Sequence, residues 1–274
     1  MNQFYVGSGN TNFKGFFGNP DTGYTLPADV NIKIGANIGG TITRGVLNVG
    51  VTSWSNGEGK LAASSGGAFE AYVTDCQVGS RTGAYNSLIT GLLDLSQMDS
   101  VLLDAQAVKI GVGKDNSAAR VDGRVFFPVG GVGIANTLDI GDNSGTTSRG
   151  LLDLPGASFT VNTALTMKEN ATVSVRVQGT SCGLQLASSA TASVTGTAKI
   201  AISFEQPADD PEAGIYYGMK WDGNHLADLQ TLFQDGRLII DPAGVNGEGT
   251  VISDADSDAT YATVVTSQPL TAVA

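Results

Sequence analysis

The chain has 274 residues, of which 37 are glycine and only 15% are charged, and 26 acidic residues against 15 lysines and arginines give a net charge of −11. This acidity argues against nucleic acid as a partner, because phosphate contacts require clustered lysine and arginine. No apolar run approaches the roughly 18 residues of a membrane-spanning helix. We therefore expect no membrane span. No positively headed apolar segment opens the chain either, so we expect that a signal peptide is absent or already removed.

The first twenty residues contain five aromatic side chains among glycine and asparagine and show no regular period. Aromatic rings are costly to leave in water, and the open end of a repeat array needs a cover. Two interpretations stay open: residues 1–20 form a cap on the first repeat, or they form an arm that packs against a neighbouring copy. In the second interpretation the subunit contact is made by Phe4, Tyr5, Phe13, Phe16 and Phe17.

Residues 21–206 carry a recurring strand–turn–strand pattern. In residues 137–154 (TLDIGDNSGTTSRGLLDL) a short alternating strand leads through a polar turn with glycine to a second strand. Alternation of apolar and polar residues predicts strands with one buried face. Earlier copies place Ile34, Val78 and Ile110 at the position of Ile140, at intervals of 44, 32 and 30 residues. Such a unit predicts an all-β repeat protein, a parallel β-solenoid or β-helix.

The alignment of these copies predicts which side chains face the core. Leu152 points inward and stacks beside Leu93 and Leu47 of equivalent units. Cys76 and Cys182 lie about three units apart, and units spaced by about 4.8 Å put them beyond the roughly 7 Å limit for a disulfide. Both thiols are therefore expected to be free or to pair between copies.

The longest interval contains residues 52–67, which are rich in serine, glycine and asparagine and include Trp54. Loops of that length on a solenoid usually project from one face and often carry binding. Trp54 is therefore a candidate contact for a ligand such as an extracellular polysaccharide.

Residues 207–274 are expected to form a small C-terminal α+β closing module of strand, helix and strand. The boundary at residues 207–214 (PADDPEAG) has two prolines and three acids, which cannot join a central strand. Strands are predicted on both sides of a helix, and the last two form a hairpin at residues 249–265.

The helix is predicted over residues 224–236. Asn224 can cap its first turn and Gly236 can end it. Its apolar face is expected to consist of Leu226, Leu229 and Phe233.

Three acids near the C-terminus, Asp254, Asp256 and Asp258, alternate along the chain as in calcium-binding loops. The segment lacks the glycine and the glutamate that complete such a loop, so a polar hairpin tip is favoured over a Ca²⁺ site. We expect no other cofactor.

The sequence contains no arrangement typical of a catalytic site. His225 is the only histidine, and its place at the start of the predicted helix indicates a structural role. Arg44, Arg124 and Arg149 adjoin turns, but no acidic cluster joins them in the way that a β-helical polysaccharide lyase would need. We therefore expect that the chain is not an enzyme.

The IG…GLLDL units, followed by YYGMKWDGNHLADLQTLFQDGRLII, resemble exported β-solenoid repeat proteins of planctomycetes and related bacteria. Those proteins often carry a C-terminal sorting tag of the PEP-CTERM type and are similar in rhythm to autotransporter-associated repeats. The resemblance covers roughly residues 30–265. It implies an extracellular or cell-surface location and a structural role, and it transfers no catalytic residue.

Three functions stay open at this point. The favoured one is an extracellular structural protein whose copies assemble head to tail into a filament or surface layer. The alternatives are a carbohydrate-binding or adhesive surface module and, less favoured, a polysaccharide lyase.

Overall fold

The computed structural model describes most of the chain, namely residues 3–9, 13–17, 28–52, 56–62, 65–81, 88–113, 120–141, 148–178, 182–205, 215–242, 247–254 and 258–266. These residues are nearly all in β-strands, with one helix, α1 (Leu226–Gln234). The parallel strands stack into a β-solenoid, which confirms the predicted fold class. None of the helical structure in these ranges has the length and apolarity that crossing a bilayer requires.

The strands are short and regularly spaced. In chain order they are β1 (Gln3–Gly9), β2 (Phe13–Phe17), β3 (Ile32–Ile34), β4 (Ala36–Ile38), β5 (Thr41–Thr43), β6 (Gly45–Thr52), β7 (Gly57–Ala62), β8 (Ala68–Arg81), β9 (Leu88–Asp94), β10 (Ser100–Ile110), β11 (Arg120–Phe126), β12 (Val132–Ile140), β13 (Arg149–Pro155), β14 (Ser158–Met167), β15 (Ala171–Gln178), β16 (Leu184–Leu186), β17 (Thr191–Val194), β18 (Lys199–Glu205), β19 (Ile215–Asp222), β20 (Leu238–Asp241), β21 (Gly247–Asp254) and β22 (Ala259–Thr266).

Two sheets enclose the core. Sheet A has the order β1-β6-β8-β10-β12-β14-β16-β19-β22-β21, with β3 also paired to β8 and β17 to β14, and sheet B has the order β2-β7-β9-β11-β13-β15-β18-β20. In the body, the chain runs along one strand of sheet A, turns, runs along one strand of sheet B and returns one coil later. Every pair up to β19 and β20 within these sheets is parallel.

Alternation along each strand determines which side chains are buried. In β10, Val101, Leu103 and Ala105 face the core, and then Gln106 turns outward and the alternation changes phase, so that Val108 is buried next. This change of phase bends the strand, so that its two halves line different parts of the core.

The observed register differs from the sequence alignment at its first unit. Val49, not Ile34, pairs with Val78, which makes the interval 29 residues in place of 44. Ile34 pairs with Ala71 instead. Both Ile34 and Val49 precede a glycine, so the sequence motif alone could not distinguish them. The extra chain between β3 and β6 forms an antiparallel hairpin, β4–β5, which the sequence analysis did not predict.

The same error affects the predicted stack of leucines. Leu152 and Leu93 are fully buried, as predicted, and both pair with Val125 in sheet B. Leu47 is also fully buried, but it lies in sheet A beside Cys76, so its place in this stack was wrong. Both cysteines are free thiols, and Cys76 is completely buried in the core.

A column of glycines in each sheet explains the repeated IG…G motif. A Cβ atom on Gly91 would lie inside 3.0 Å of Gly79 N and Val49 O, so the backbones of the two sheets touch there. Gly79 has a φ of +57°, a conformation that suits glycine. We call these facing columns the glycine seam; it consists of Gly7, Gly50, Gly79, Gly111 and Gly141 in sheet A and Gly59, Gly91, Gly123 and Gly150 in sheet B.

Large side chains fill the opposite edge of the core. Phe69, Phe127, Phe159 and Phe204 are fully buried, and the rings of Phe127 and Phe159 meet edge to face at 6.0 Å. The core is therefore narrow at the glycine seam, where backbones touch, and wide at the phenylalanines.

The C-terminal residues close the solenoid. β19 and β20 continue the two sheets in parallel beyond the predicted boundary at 206/207. The predicted hairpin is confirmed as β21 and β22, which pair antiparallel and add to β19.

The helix differs from its prediction in detail. His225, not Asn224, is the N-cap, because the helix begins at Leu226 and the His225 carbonyl accepts the Leu229 N–H at 3.0 Å. The His225 N–H donates to Thr260 Oγ1. Leu229 is fully buried as predicted, but Phe233 is 39% exposed. Leu232 packs against the core in place of Phe233, because residues 229 and 232 share the side that faces the last strands.

Candidate binding grooves

The predicted N-terminal contact residues lie on the chain's own body. β1 pairs with β6, and β2 pairs with β7, so both strands form part of the first coil. Phe4 packs against the core, whereas Tyr5 is 50% exposed. The side chains of Phe13, Phe16 and Phe17 lie outside the described part of the structure.

The predicted ligand loop at residues 52–67 contains a strand of the solenoid. Residues 57–62 of this segment form β7, which lies inside sheet B between β2 and β9. The two glycines of β7 lowered its apparent strand propensity, yet Gly59 belongs to the glycine seam. Trp54 lies outside the described residues.

The proposed calcium ligands are only partly described. Asp254 ends β21, and Asp258 precedes β22 with a φ of +45°. Asp256 lies outside the described residues. In the ranges that the structure covers, no three histidine, cysteine or acidic side chains are grouped to hold a metal ion. Calcium binding by Asp254, Asp256 and Asp258 stays a prediction.

A groove of about 520 Å³ crosses the outer face of sheet B, and we call it the basic groove. It spans four adjacent strands, β11, β13, β15 and β18. Three of its side chains are cationic, although the protein as a whole is acidic. The lining residues are Arg124, Arg149, Gly150, Leu151, Asn170, Thr172, Thr197 and Lys199.

The cations of this groove differ in their partners. Arg124 donates from Nε and Nη2 to the two carboxylate oxygens of Asp122 at 2.9 and 2.7 Å. Hydrogen bonding to Asp122 raises the pKa of Arg124, so this side chain stays charged. Arg149 and Lys199 are exposed, and within the described residues no carboxylate lies within 4.0 Å of either.

Neutral polar groups lie between the cations. The Thr197 hydroxyl lies 2.9 Å from Glu169 Oε2 and 3.3 Å from Asn170 Oδ1, and its oxygen accepts the Asn170 backbone N–H at 3.0 Å. These bonds fix one wall of the groove. Thr172 lies between Leu151 and Lys199 in the stacking order of the strands.

A second groove, also about 520 Å³, separates β17 from α1. His225 lies at one end of it, with its ring stacked on Trp221 at 4.0 Å. Its Nδ1 is 3.1 Å from Asp228 Oδ2, and its Nε2 is 3.2 Å from the Ser188 carbonyl. The Nε2 contact and the stacking on Trp221 connect the start of α1 to the solenoid, and the Nδ1 contact lies within the first turn of the helix, which agrees with the structural role expected for His225.

The arginines that adjoin turns separate into two places. Arg44 contacts Asp104 Oδ1 at 2.8 Å and donates to the carbonyls of Asp104 and Val73, so it anchors the base of the β4–β5 hairpin. Arg124 and Arg149 meet in the basic groove. The sequence analysis noted both but missed Lys199, which no local motif marks.

No family model matches the chain, and neither the curated proteins nor the solved structures include a match to it. The indications of function are therefore the geometry of the grooves and the strand pairing at the solenoid ends.

Proposed function

We propose that the chain is a structural subunit of an extracellular or cell-surface assembly in which copies join end to end. The observation that carries this proposal is the pairing of the terminal strands. Sheet A ends in β1 and β21, sheet B ends in β2 and β20, and none of these four has a second strand partner among the described residues. Unpaired strand edges promote association unless they are covered.

The direction of β21 suits such an assembly. It runs antiparallel to β22, which runs antiparallel to β19, so β21 runs in the same direction as the solenoid strands. The edge of β1 from another copy can therefore add to β21 in the parallel sense used throughout the body. A contact between two different ends does not close on itself and produces a filament.

The contact surface differs from the arm considered from the sequence. Because β1 and β2 pair with the body, the surfaces that join one copy to the next are the outer edges of these two strands, which stay within the first coil. Tyr5, half-exposed on β1, adds apolar area beside that edge. Strand addition supplies backbone hydrogen bonds.

The test compares two single substitutions by sedimentation over a range of concentrations and by electron microscopy. Tyr5→Lys places a charge on the edge strand, which is a common means of blocking strand addition, and should weaken association. Ile38→Lys is the matched control, because Ile38 is 78% exposed on the β4–β5 hairpin, a separate two-stranded sheet that does not include β1. A full-length protein that stays monomeric at every concentration, or equal weakening by both changes, would contradict the proposal.

A further inference from the structure

We propose that the basic groove binds a linear anionic polysaccharide, whose carboxylate or sulfate groups contact Arg149 and Lys199. This goes beyond assembly and does not depend on it. The charge, the length and the polar lining of the groove support this proposal.

The basic groove has three cationic side chains although the chain is acidic. Acids outnumber lysines and arginines by 26 to 15, so most cations should find a carboxylate. Several sheet-surface cations do so, as with Lys33 and Glu70 at 2.7 Å and Lys220 and Asp222 at 2.7 Å. Arg149 and Lys199 have no such partner among the described residues, yet both line one groove. They are therefore available to an anionic ligand.

Arg124 can contribute to the same ligand. Its Nε and Nη2 are engaged by Asp122, while a guanidinium carries five N–H donors. The donors on Nη1 stay available, and the side chain is 43% exposed. Asp122 fixes the orientation of the guanidinium plane, so Arg124 is presented in one position.

The length of the groove points to an extended ligand. Register pairs Arg124 with Leu151, Leu151 with Thr172, and Thr172 with Lys199. Three steps between strands separate the ends of this column, or about 14 Å at roughly 4.8 Å per step. A single sulfate or phosphate ion cannot reach both ends, whereas a chain with anionic groups at intervals can.

The remaining lining distinguishes polysaccharide from nucleic acid. Apart from Leu151, the side chains between the cations are Asn170, Thr172 and Thr197, which offer hydroxyl and amide groups suited to sugar hydroxyls. No aromatic side chain is among the eight residues that line the groove. Binding of single-stranded nucleic acid generally relies on aromatic rings on which bases stack.

The experiment measures binding of size-defined oligogalacturonate and dextran sulfate by calorimetry at low and moderate salt. Arg149→Gln and Lys199→Gln should each weaken binding by about tenfold or more, because charge-assisted hydrogen bonds contribute that much. Lys109→Gln is the matched control, since it removes the same charge from a strand of sheet A. Melting temperatures of all three variants should match that of the unmodified chain, because the side chains are on the surface.

Several results would overturn the proposal. Equal loss in the Lys109→Gln control would indicate general charge attraction without a site. Full competition by inorganic sulfate at equal anion concentration would indicate a point anion site, and tighter binding of single-stranded DNA would indicate the wrong class of polymer. Binding of uncharged dextran with the same affinity would exclude the anionic contact. If both anionic polymers fail to bind, the groove is not a polysaccharide site, whatever the outcome for assembly.

Discussion

The glycine seam offers the most direct test of the fold. Replacing Gly91 by alanine adds one methyl group at a point where the backbones of two sheets touch. The new Cβ would lie 2.6 Å from Gly79 Cα and inside 3.0 Å of Gly79 N and Val49 O. Every obstructing atom belongs to backbone, so no side chain can rotate away to make room.

The expected cost follows from this geometry. Extra atoms in a packed core typically cost about 1–3 kcal/mol, and occasionally more. Relief at Gly91 requires β6 or β8 to move, which strains the hydrogen bonds between coils, so we expect about 3 kcal/mol or above. At roughly 2–4 °C per kcal/mol for a chain of this size, the melting temperature should fall by about 6–12 °C.

The control is Gly57→Ala in the adjacent strand β7. Gly57 is also buried, but the nearest atom to its added Cβ is the Thr52 Cγ2 methyl at 3.1 Å, which can shift. Its cost should stay within about 1 kcal/mol, since alanine also reduces the freedom of the unfolded chain. Circular dichroism melting of both variants gives the comparison. Equal melting temperatures of the Gly91→Ala and Gly57→Ala proteins would show that the sheets do not touch at the glycine seam.

Three further predictions follow from single side chains. Leu152→Asp buries a charge without a partner and should cost about 3–5 kcal/mol of stability, by analogy with broken buried ion pairs. Leu151→Asp, on the outer face, should keep a melting temperature near that of the unmodified protein, and equal melting temperatures of the two variants would refute the register of β13. Burial, with a smaller effect of Asp75, raises the pKa of the Cys76 thiol to about 12. The thiol therefore loses its proton at a lower pH in the unfolded chain than in the folded one, and the free energy of unfolding should fall by about 1.4 kcal/mol per pH unit above about pH 9. Urea unfolding at several pH values should show a smaller slope for Cys76→Ala. Arg44→Met removes a partly buried ion pair and two hydrogen bonds to carbonyls, and should cost about 1.5–3 kcal/mol of stability in urea unfolding. The control is Lys33→Met, which removes an exposed ion pair and should cost about 0–1 kcal/mol.

The solenoid could be predicted because its local signals are strong and repeated. Alternating apolar residues on both sides of a polar turn recur along the body, and each copy supports the others. Burial of Leu93 and Leu152 follows from that alternation without knowledge of the register. The β21–β22 hairpin was equally legible, since two strand patterns flank a short acidic turn.

The register could not be fixed by pattern alone. Ile34 and Val49 both end an apolar strand and precede a glycine, and only the pairing with β8 shows that Val49 continues the column of Val78. The β4–β5 hairpin between them contains Ile38 and Ile42, which are exposed at 78% and 39% and gave no indication of an insertion. Likewise the glycines of β7 are typical of a loop in the sequence alone. Gly59 is required because its backbone touches Val6 and Gly50 of the opposite sheet, a contact that the sequence does not show.

The basic groove shows why a surface groove on a solenoid is hard to find from the sequence and easy to find once the strand register is known. Arg124, Leu151, Thr172 and Lys199 are separated by 27, 21 and 27 residues, and they share no local motif. Stacking converts these intervals into steps of about 4.8 Å on one face. A change in the length of any intervening turn leaves the step unchanged as long as the strand pairing holds, because the glycine seam and the inward leucines set that pairing. The chemistry of the outer face can therefore vary independently of the core, and a reading of the sequence column by column is the signal that would have brought Lys199 to the two arginines.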